Sequence, residues 1–411
     1  MKKKKISIIT DGTYGDVLPF IFLTKELKIR GHDVSILTSE YYNNICNKLD
    51  VNLVSVTKNS LREKFLNNKD LWSHKKAFGC SINYAEEIFK SSIEDIIEQT
   101  SDSDLIIAHS LTVSGKVAAK INNKKYVSVA IAPICVKSLY RLPVFFGGIN
   151  FNFLPYVFKK YFYKLGYFFV LNKYFKNIIL ELKKIGIDSI KDPLFWGVSS
   201  EMTIGLWPNW YLNVQKDQKE FLQLSGFTKN VEYFEDDMDR ELEDWLKKKD
   251  TIVITMGSGY LFLDKWKSII EKISKKYDCN CLVLTPENIN SSNNMIRYVK
   301  RVPLSKVLPL CKLCIHHGGA GMVAQVINSG TPSVVVPMAH DQPDNGYLLE
   351  KLGVGKVVWM KEPKENIILN AIDLVLSSEE IKKANKKYSK LVQESKNGIS
   401  KTADYIEDYI D

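Results

Sequence analysis

The sequence predicts an α/β protein built as two Rossmann-like domains, each a parallel sheet, facing one another across a cleft. Three observations carry this. The chain has 411 residues, too long for one ordinary core at roughly 100–200 residues per domain. Its first half opens with strand, glycine-containing loop, amphipathic helix and strand, the order of a parallel sheet covered by helices. The same order restarts at Thr251.

Each element follows from local pattern. Lys5 to Thr10 reads as the first strand, and Asp11 to Asp16 as the loop after it. Leu18, Ile21, Phe22, Leu27 and Ile29 recur at helical spacing and predict a helix from Val17 to Arg30. Gly31 ends that helix as a C-cap. Val34 to Thr38, Asp104 to Ala108 and Tyr126 to Ile131 read as strands, with a helix from Gly115 to Ile121 between the last two. In the second half, Thr251 to Met256, Asn280 to Thr285, Cys314 to His316 and Ser333 to Val336 read as strands. Helices are expected from Lys265 to Lys276 and from Gly321 to Asn328. The acidic stretch Glu232 to Glu243 reads as linker plus helix start. The expected division is residues 1–228, a linker at 229–245, a second domain at 246–378 and a closing helix at 379–411. Ligands of such sheets bind at the carboxyl ends of the strands, so the cleft between the domains is the expected site.

Composition excludes several classes. Hydrophobic residues make up 45% and charged residues 25%, as in ordinary globular proteins. The lysines at the N-terminus precede an apolar run that Asp11-Gly12 cuts short, so no secretory signal is expected. The run from Leu142 to Phe158 is interrupted by Pro143, Gly147, Gly148, Asn150, Asn152 and Pro155, which argues against a membrane span. Seven scattered cysteines read as reduced thiols and point to the cytoplasm. Cys311-Lys312-Leu313-Cys314 with His316-His317 lacks the second ligand pair of a zinc site.

The run that decides the class is His316-His317-Gly318-Gly319-Ala320-Gly321, followed by Gly330-Thr331-Pro332, Pro337 and Asp341-Gln342-Pro343. A strand ends at the histidines and a helix begins after the glycines. Glycines admit close approach of an anion to backbone N–H groups, and the helix N-terminus favours negative charge. That is a diphosphate cradle. No Gly-Lys-Ser/Thr follows, so it is not a Walker loop, and the glycine spacing is not that of a dinucleotide fingerprint.

These residues resemble the donor-binding signature of family 1 glycosyltransferases of the GT-B fold. Asp11-Gly12-Thr13-Tyr14-Gly15-Asp16-Val17-Leu18-Pro19-Phe20 is similar to that family's first loop. Ala339 to Asn345, and Leu206-Trp207-Pro208-Asn209-Trp210 before Ser225-Gly226-Phe227, look most like its bacterial branch with the B subunit of rhamnosyltransferase and the antibiotic and sterol transferases. The resemblance covers nearly the whole sequence and weakens between Val136 and Lys191. It implies an acceptor-binding N-terminal domain and a C-terminal domain that binds a nucleotide-diphosphate sugar. It assigns His317 to the diphosphate or sugar end of the donor, and Gly319, Ala320, Gly321 and Ser258 to phosphate. Val302 meets the base through its backbone, and Asp341 and Gln342 meet sugar hydroxyls. Gly12, Thr13 and Gly15 border the same donor. Two departures stand out: Met322 replaces a usual Thr or Ser, and Arg301 a usual base-stacking aromatic.

Transfer of a sugar to a hydroxyl needs a base for the acceptor proton and stabilisation of the leaving diphosphate. Asp16 is the candidate base, and helix capping is its structural alternative. His109, at a strand end, is the other candidate; it also fits an acceptor-pocket wall or a core position. His32 and His74 read as surface or core residues. A single displacement implies inversion at the anomeric carbon. Asp102-Ser103-Asp104 and Asp237-Met238-Asp239 do not follow strands as a metal-binding Asp-x-Asp does, so neither metal nor other cofactor is expected.

The net charge is +10. From Val136 to Lys184 nine Lys or Arg face one acid, Glu181, among fifteen aromatics. That pattern suits a membrane interface, an apolar acceptor pocket, or a helical core with snorkelling lysines; it is too apolar for nucleic acid. The expected partners are a nucleotide sugar (UDP- or dTDP-linked) and a hydrophobic or amphipathic acceptor, with peripheral contact at the inner face of the membrane. A sugar-nucleotide epimerase of the same fold and a non-catalytic sugar-nucleotide-binding partner are the rival readings.

Overall fold

The computed structural model describes residues 2–168, 172–188, 190, 192–229, 238–257, 263–286, 289, 291 and 293–411. The first half contains β1 (Lys5–Ile9), α1 (Tyr14–Ile29), β2 (Asp33–Ser39), α2 (Asn43–Lys48), β3 (Asn52–Thr57), α3 (Asn59–Leu66) and α4 (Ala77–Gln99). It continues through β4 (Leu105–His109), α5 (Val113–Ile121), β5 (Lys125–Ala130), α6 (Tyr156–Gly166), α7 (Asn172–Lys184), β6 (Thr203–Gly205) and β7 (Leu222–Leu224). The second half contains α8 (Arg240–Lys248), β8 (Thr251–Thr255), α9 (Asp264–Tyr277), β9 (Asn280–Leu284), β10 (Ile296–Val299), α10 (Leu304–Val307) and β11 (Leu313–His316). Then come α11 (Ala320–Ser329), β12 (Ser333–Val335), α12 (Gln342–Lys351), β13 (Gly355–Val357), α13 (Glu365–Ser377), α14 (Glu379–Glu394) and α15 (Gly398–Ile410).

The strands form two sheets, ordered β3-β2-β1-β4-β5-β6-β7 and β10-β9-β8-β11-β12-β13. Every pairing within them is parallel. Sequence explains this choice. β4 and β8, Leu-Ile-Ile-Ala-His and Thr-Ile-Val-Ile-Thr, are apolar almost throughout and buried at every position, as strands covered on both faces must be. Chain order reverses between β1 and β4 in one sheet and between β8 and β11 in the other. The loops after those four strands therefore diverge and leave a crevice at each switch point. This is the two-domain GT-B arrangement expected from the sequence.

Several boundaries differ from expectation for local reasons. α1 begins at Tyr14 rather than Val17, because Thr13 is its N-cap. Asp239, in one of the two Asp-x-Asp runs, accepts a hydrogen bond from Glu241 N (3.1 Å) and caps α8; Asp237 lies outside the described residues, as do residues 230–237 of the linker. The stretch from Glu379 is two helices. α14 stays on the second domain, whereas α15 returns to the first, where Ile399, Ala403, Ile406 and Ile410 enter the core around β1, α1 and β2.

The two chain crossings between the domains lie against each other. Gly398 N donates to Phe227 O (3.1 Å), and Asn397 Nδ2 to Lys229 O (3.1 Å). A Cβ at Gly398 would come within 2.3 Å of Gly226 O. α15 is then pinned by charge. Arg30 donates to Asp404 Oδ1 (2.9 Å), Glu407 Oε2 (2.6 Å) and Ser400 O (2.8 Å). His32, buried rather than exposed, accepts from Lys4 N at Nδ1 (3.3 Å) and meets Glu407 at Nε2 (3.2 Å).

Arg30→Met removes the guanidinium from this partly buried ion cluster and leaves Glu407 only its contact with His32, a loss of roughly 1–3 kcal/mol. Hydrogen exchange over residues 398–411 should accelerate well before global unfolding. Unchanged protection there would mean that the apolar face of α15 holds it alone.

Candidate functional site

The first wall of the cleft is the loop between β1 and α1. Gly12 takes φ +126, and a Cβ there would fall 2.7 Å from Asp16 Oδ2. Only glycine lets the loop fold this tightly over the carboxylate. Its carbonyl accepts from Tyr42 OH (2.9 Å) and Arg62 Nε (3.4 Å), which fixes the loop from beneath. Asp16 Oδ2 accepts from Thr13 N and Thr13 Oγ1, both at 2.8 Å. Asp16 is therefore the third helical residue reaching back to the N-cap, as in a capping box, and not the N-cap itself. Among the described residues its Oδ1 has no hydrogen-bond partner. Gly15 sits exposed on the first turn, with no atom close enough to require glycine.

His109 ends β4 beside this loop. Its ring packs on Phe20 at 5.8 Å, and Phe20 lies one turn along α1 from Asp16, on the same face. Nδ1 accepts from Leu111 N (3.2 Å). The neutral ring therefore carries its proton on Nε2, a buried atom with no partner among the described residues. Burial depresses its pKa, and the nearby Asp16 charge opposes that. In this tautomer His109 is a hydrogen-bond donor and not a proton acceptor.

The second wall is the loop between β11 and α11. His316 is buried and its Nδ1 accepts from Gly318 N (3.1 Å). Gly318, at φ +91, would place a Cβ 2.9 Å from Val335 Cγ1. The turn aims His317 between two glycines. A Cβ on Gly319 would lie 2.5 Å from its Nε2, and one on Gly257 would lie 3.2 Å away. Burial holds His317 at a pKa of about 4, so the ring is neutral. Its Nδ1 is unpartnered among the described residues. Gly319 is the N-cap of α11, and the amides of Ala320, Gly321 and Met322 are its first donors. Met322 contributes no hydroxyl, but its side chain packs on the core beneath.

Asp341 and Gln342 complete this wall. Asp341 Oδ2 accepts from Ala320 N (3.1 Å) and Asn345 Nδ2 (2.7 Å). Its pKa is raised to about 7, first by burial and then by the charge of Asp16 across the cleft. Gln342 Oε1 accepts from Met338 N (2.9 Å) and Ala339 N (3.1 Å), which leaves its NH2 group as the part able to donate. Val302 is buried just beyond β10. Ser258 lies outside the described residues. Among the described residues no three His, Cys, Asp or Glu side chains gather as a metal site.

Among the contacts that join the two sides in the described residues are three whose pairing no local sequence pattern announces. Arg141 makes a two-pronged ion pair with the buried Asp344 (2.8 and 2.6 Å), which also accepts from Val144 N (2.8 Å). His340, held at φ +58, meets Leu71 O through Nε2 (3.0 Å). Arg301 lies over the Tyr14 ring at 4.2 Å and reaches the hydroxyls of Tyr14 and Tyr41. Arg301 thus clasps the residue that opens α1. Asp344 and Asn345 lie in the run from Ala339 to Asn345, so their place was legible though their partners were not.

Known proteins fall into line with this geometry. Residues 6–137, which include Asp16 and His109, match the glycosyltransferase family 28 N-terminal domain. Residues 278–396, which include Arg301, His317 and Asp341, match the erythromycin biosynthesis protein CIII-like C-terminal domain. The sterol 3-beta-glucosyltransferase of Komagataella phaffii is 22% identical over 435 residues, 97% of this chain and 34% of that protein. The chain spans about a third of the length of the curated relatives it matches along its whole extent. The kitacinnamycin glycosyltransferase structure aligns with a TM-score of 0.73 at 16% identity, covering 99% of each chain. The structure of the glycosyltransferase VinC in complex with DTDP aligns with a TM-score of 0.68 at 15% identity, covering 99% of each chain.

The Asp341 geometry has a consequence for anion binding. A diphosphate brings negative charge to α11, where an ionised Asp341 repels it and competes for Ala320 N. Affinity for uridine or thymidine diphosphate, measured by calorimetry, should therefore fall as pH rises through about 7, approaching about tenfold per unit. Asp341→Asn should remove that dependence, leaving only the ligand's own titration. Identical pH profiles in the two proteins would separate Asp341 from the anion site.

Proposed function

We propose that this chain, which belongs to the family 1 glycosyltransferases of the GT-B fold, moves a sugar with inversion from a nucleotide-diphosphate donor to a hydroxyl of a hydrophobic or amphipathic acceptor. The observation that carries the reading is the meeting of Asp16 with Asp341 in one cleft. One domain supplies an aspartate with a free oxygen, and the other supplies an anion cradle and a neutral histidine.

In this reading the acceptor hydroxyl attacks the anomeric carbon while its proton passes to Asp16 Oδ1. The bond from that carbon to the phosphate oxygen breaks, and the diphosphate leaves with the electron pair. The amides of Gly321 and Met322 receive the leaving charge, an oxyanion-hole role that preorganised donors fill well, with the neutral His317 ring beside them. Asp341 and the Gln342 NH2 group face the sugar. Thr13 and the tight turn at Gly12 hold Asp16 in place, and Gly15 borders the donor; Ser258 belongs to the phosphate side. His109 steadies the acceptor oxygen or Asp16 as an N–H donor. Arg301 must release or share Tyr14 if it also stacks on the base beside Val302. The acceptor class rests on relatives named for sterols and for calicheamicin, and the donor class on solved relatives holding thymidine diphosphate. This reading takes the reaction to be cytoplasmic, which seven scattered thiols support, with peripheral contact at the inner face of the membrane.

Asp16→Asn keeps an acceptor for Thr13 N, so it separates capping from catalysis. Turnover should fall by roughly 10²–10⁴-fold, with nucleotide-diphosphate affinity and melting temperature almost unchanged. His109→Gln retains an N–H donor and should keep most of the activity. Normal turnover in Asp16→Asn with collapse in His109→Gln would move the base to β4. Transfer should also persist in EDTA; complete loss restored by magnesium or manganese would overturn the leaving-group assignment.

A further inference from the structure

α6 is built inside out. Its one buried position is a lysine, Lys159, 7% exposed and donating to Tyr140 O (2.5 Å), and the half-buried Tyr163 donates through its OH to Asp192 Oδ2 (2.8 Å). Most of its outward positions are apolar. Val157, Phe158, Tyr161 and Leu165 are all more than half exposed, and Phe153, just before the helix, is 79% exposed. A surface helix of a water-soluble protein has the reverse pattern, and a contiguous apolar face of this kind marks a surface that something covers. The expectation that this segment lines an acceptor pocket or forms a plain core therefore fails for α6, because these side chains face away from the molecule.

Charge selects the occupant. Lys160 and Lys164 are exposed on the same helix, and neither has an ion-pair partner among the described residues. α6 has no acidic residue. The neighbouring α7 adds exposed Lys173, Lys176 and Lys183. A second copy on this face, related by a twofold axis, would bring these cations against their own images. An anionic bilayer offers both requirements together: apolar depth for the aromatics and negative headgroups for the lysines beside them. None of this depends on the reaction proposed above.

We infer that α6, with Phe153 before it, is an interfacial helix that docks this protein on anionic membranes. Phe153, Val157, Phe158, Tyr161 and Leu165 enter the interface, and Lys160 and Lys164 contact the headgroups. Vesicle co-sedimentation tests this. The intact protein should co-sediment with phosphatidylcholine vesicles that contain phosphatidylserine, and not with phosphatidylcholine alone. Salt should weaken the binding, since headgroup attraction is screened. Phe153→Ser/Phe158→Ser/Leu165→Ser and, separately, Lys160→Glu/Lys164→Glu should each lower it by about tenfold or more, with circular dichroism and melting temperature unchanged. Absence of binding to the anionic vesicles, or binding unaffected by both variants, would overturn the inference. So would a concentration-dependent dimer that the serine variant abolishes in a protein that ignores vesicles, since that assigns the face to a second copy. Capture of an apolar partner protein in place of vesicles would overturn it equally.

Discussion

Two carboxyl groups from different domains share one poorly hydrated cleft, and the rest of the site is arranged around that constraint. Burial disfavours the charged form of a carboxyl, and a second carboxylate nearby adds to that, so one member holds its proton more tightly. Asp341 is that member. Burial penalises its charge most, and its oxygen is already held by the first amide of α11 and by Asn345. Asp16 is half-buried and keeps one oxygen toward the cleft. The proposed roles rest on that difference in environment: one carboxyl suited to facing a donor sugar without opposing its phosphates, the other with an oxygen open to take a proton.

The two sheets make the encounter possible. Each presents its switch point to the other, so the loop after β1 and the loop after β11 meet. The turns at both ends are forced by glycine, at Gly12 and Gly318, because the space a Cβ needs is filled by the carboxylate in one and by Val335 in the other. Arg141–Asp344, His340 with Leu71, and Arg301 with Tyr14 then hold the walls at working distance. The return of α15 to the first domain ties the far side, so any opening of the cleft bends two adjacent crossings together.

What the sequence made legible follows from the range of each interaction. The parallel sheets, the glycine turn before α11 and the line of residues from His317 to Asp341 are signalled by neighbours in the chain. The start of α1 was also within reach, since Thr13-x-x-Asp16 has capping-box spacing, but the apolar periodicity beginning at Val17 drew the boundary inward. The pairing of Arg141 with Asp344 joins residues 203 apart and leaves no local trace. The tautomer of His109 depends on one backbone amide, Leu111 N, whose direction only the fold supplies. In α6 composition showed aromatics and lysines but not which of them face outward; burial of Lys159 reverses the usual assumption.

The coupling between Asp16 and Asp341, on which both proposed roles depend, is directly measurable. Carbon-13 NMR of aspartate side chains, with Asp341 assigned through Asp341→Asn, gives its titration in the wild type and in Asp16→Asn. The structure predicts a midpoint near 7 in the wild type and a clearly lower one once the Asp16 charge is removed. An ordinary midpoint near ~3.9, or one unchanged by Asp16→Asn, would contradict a shared cleft.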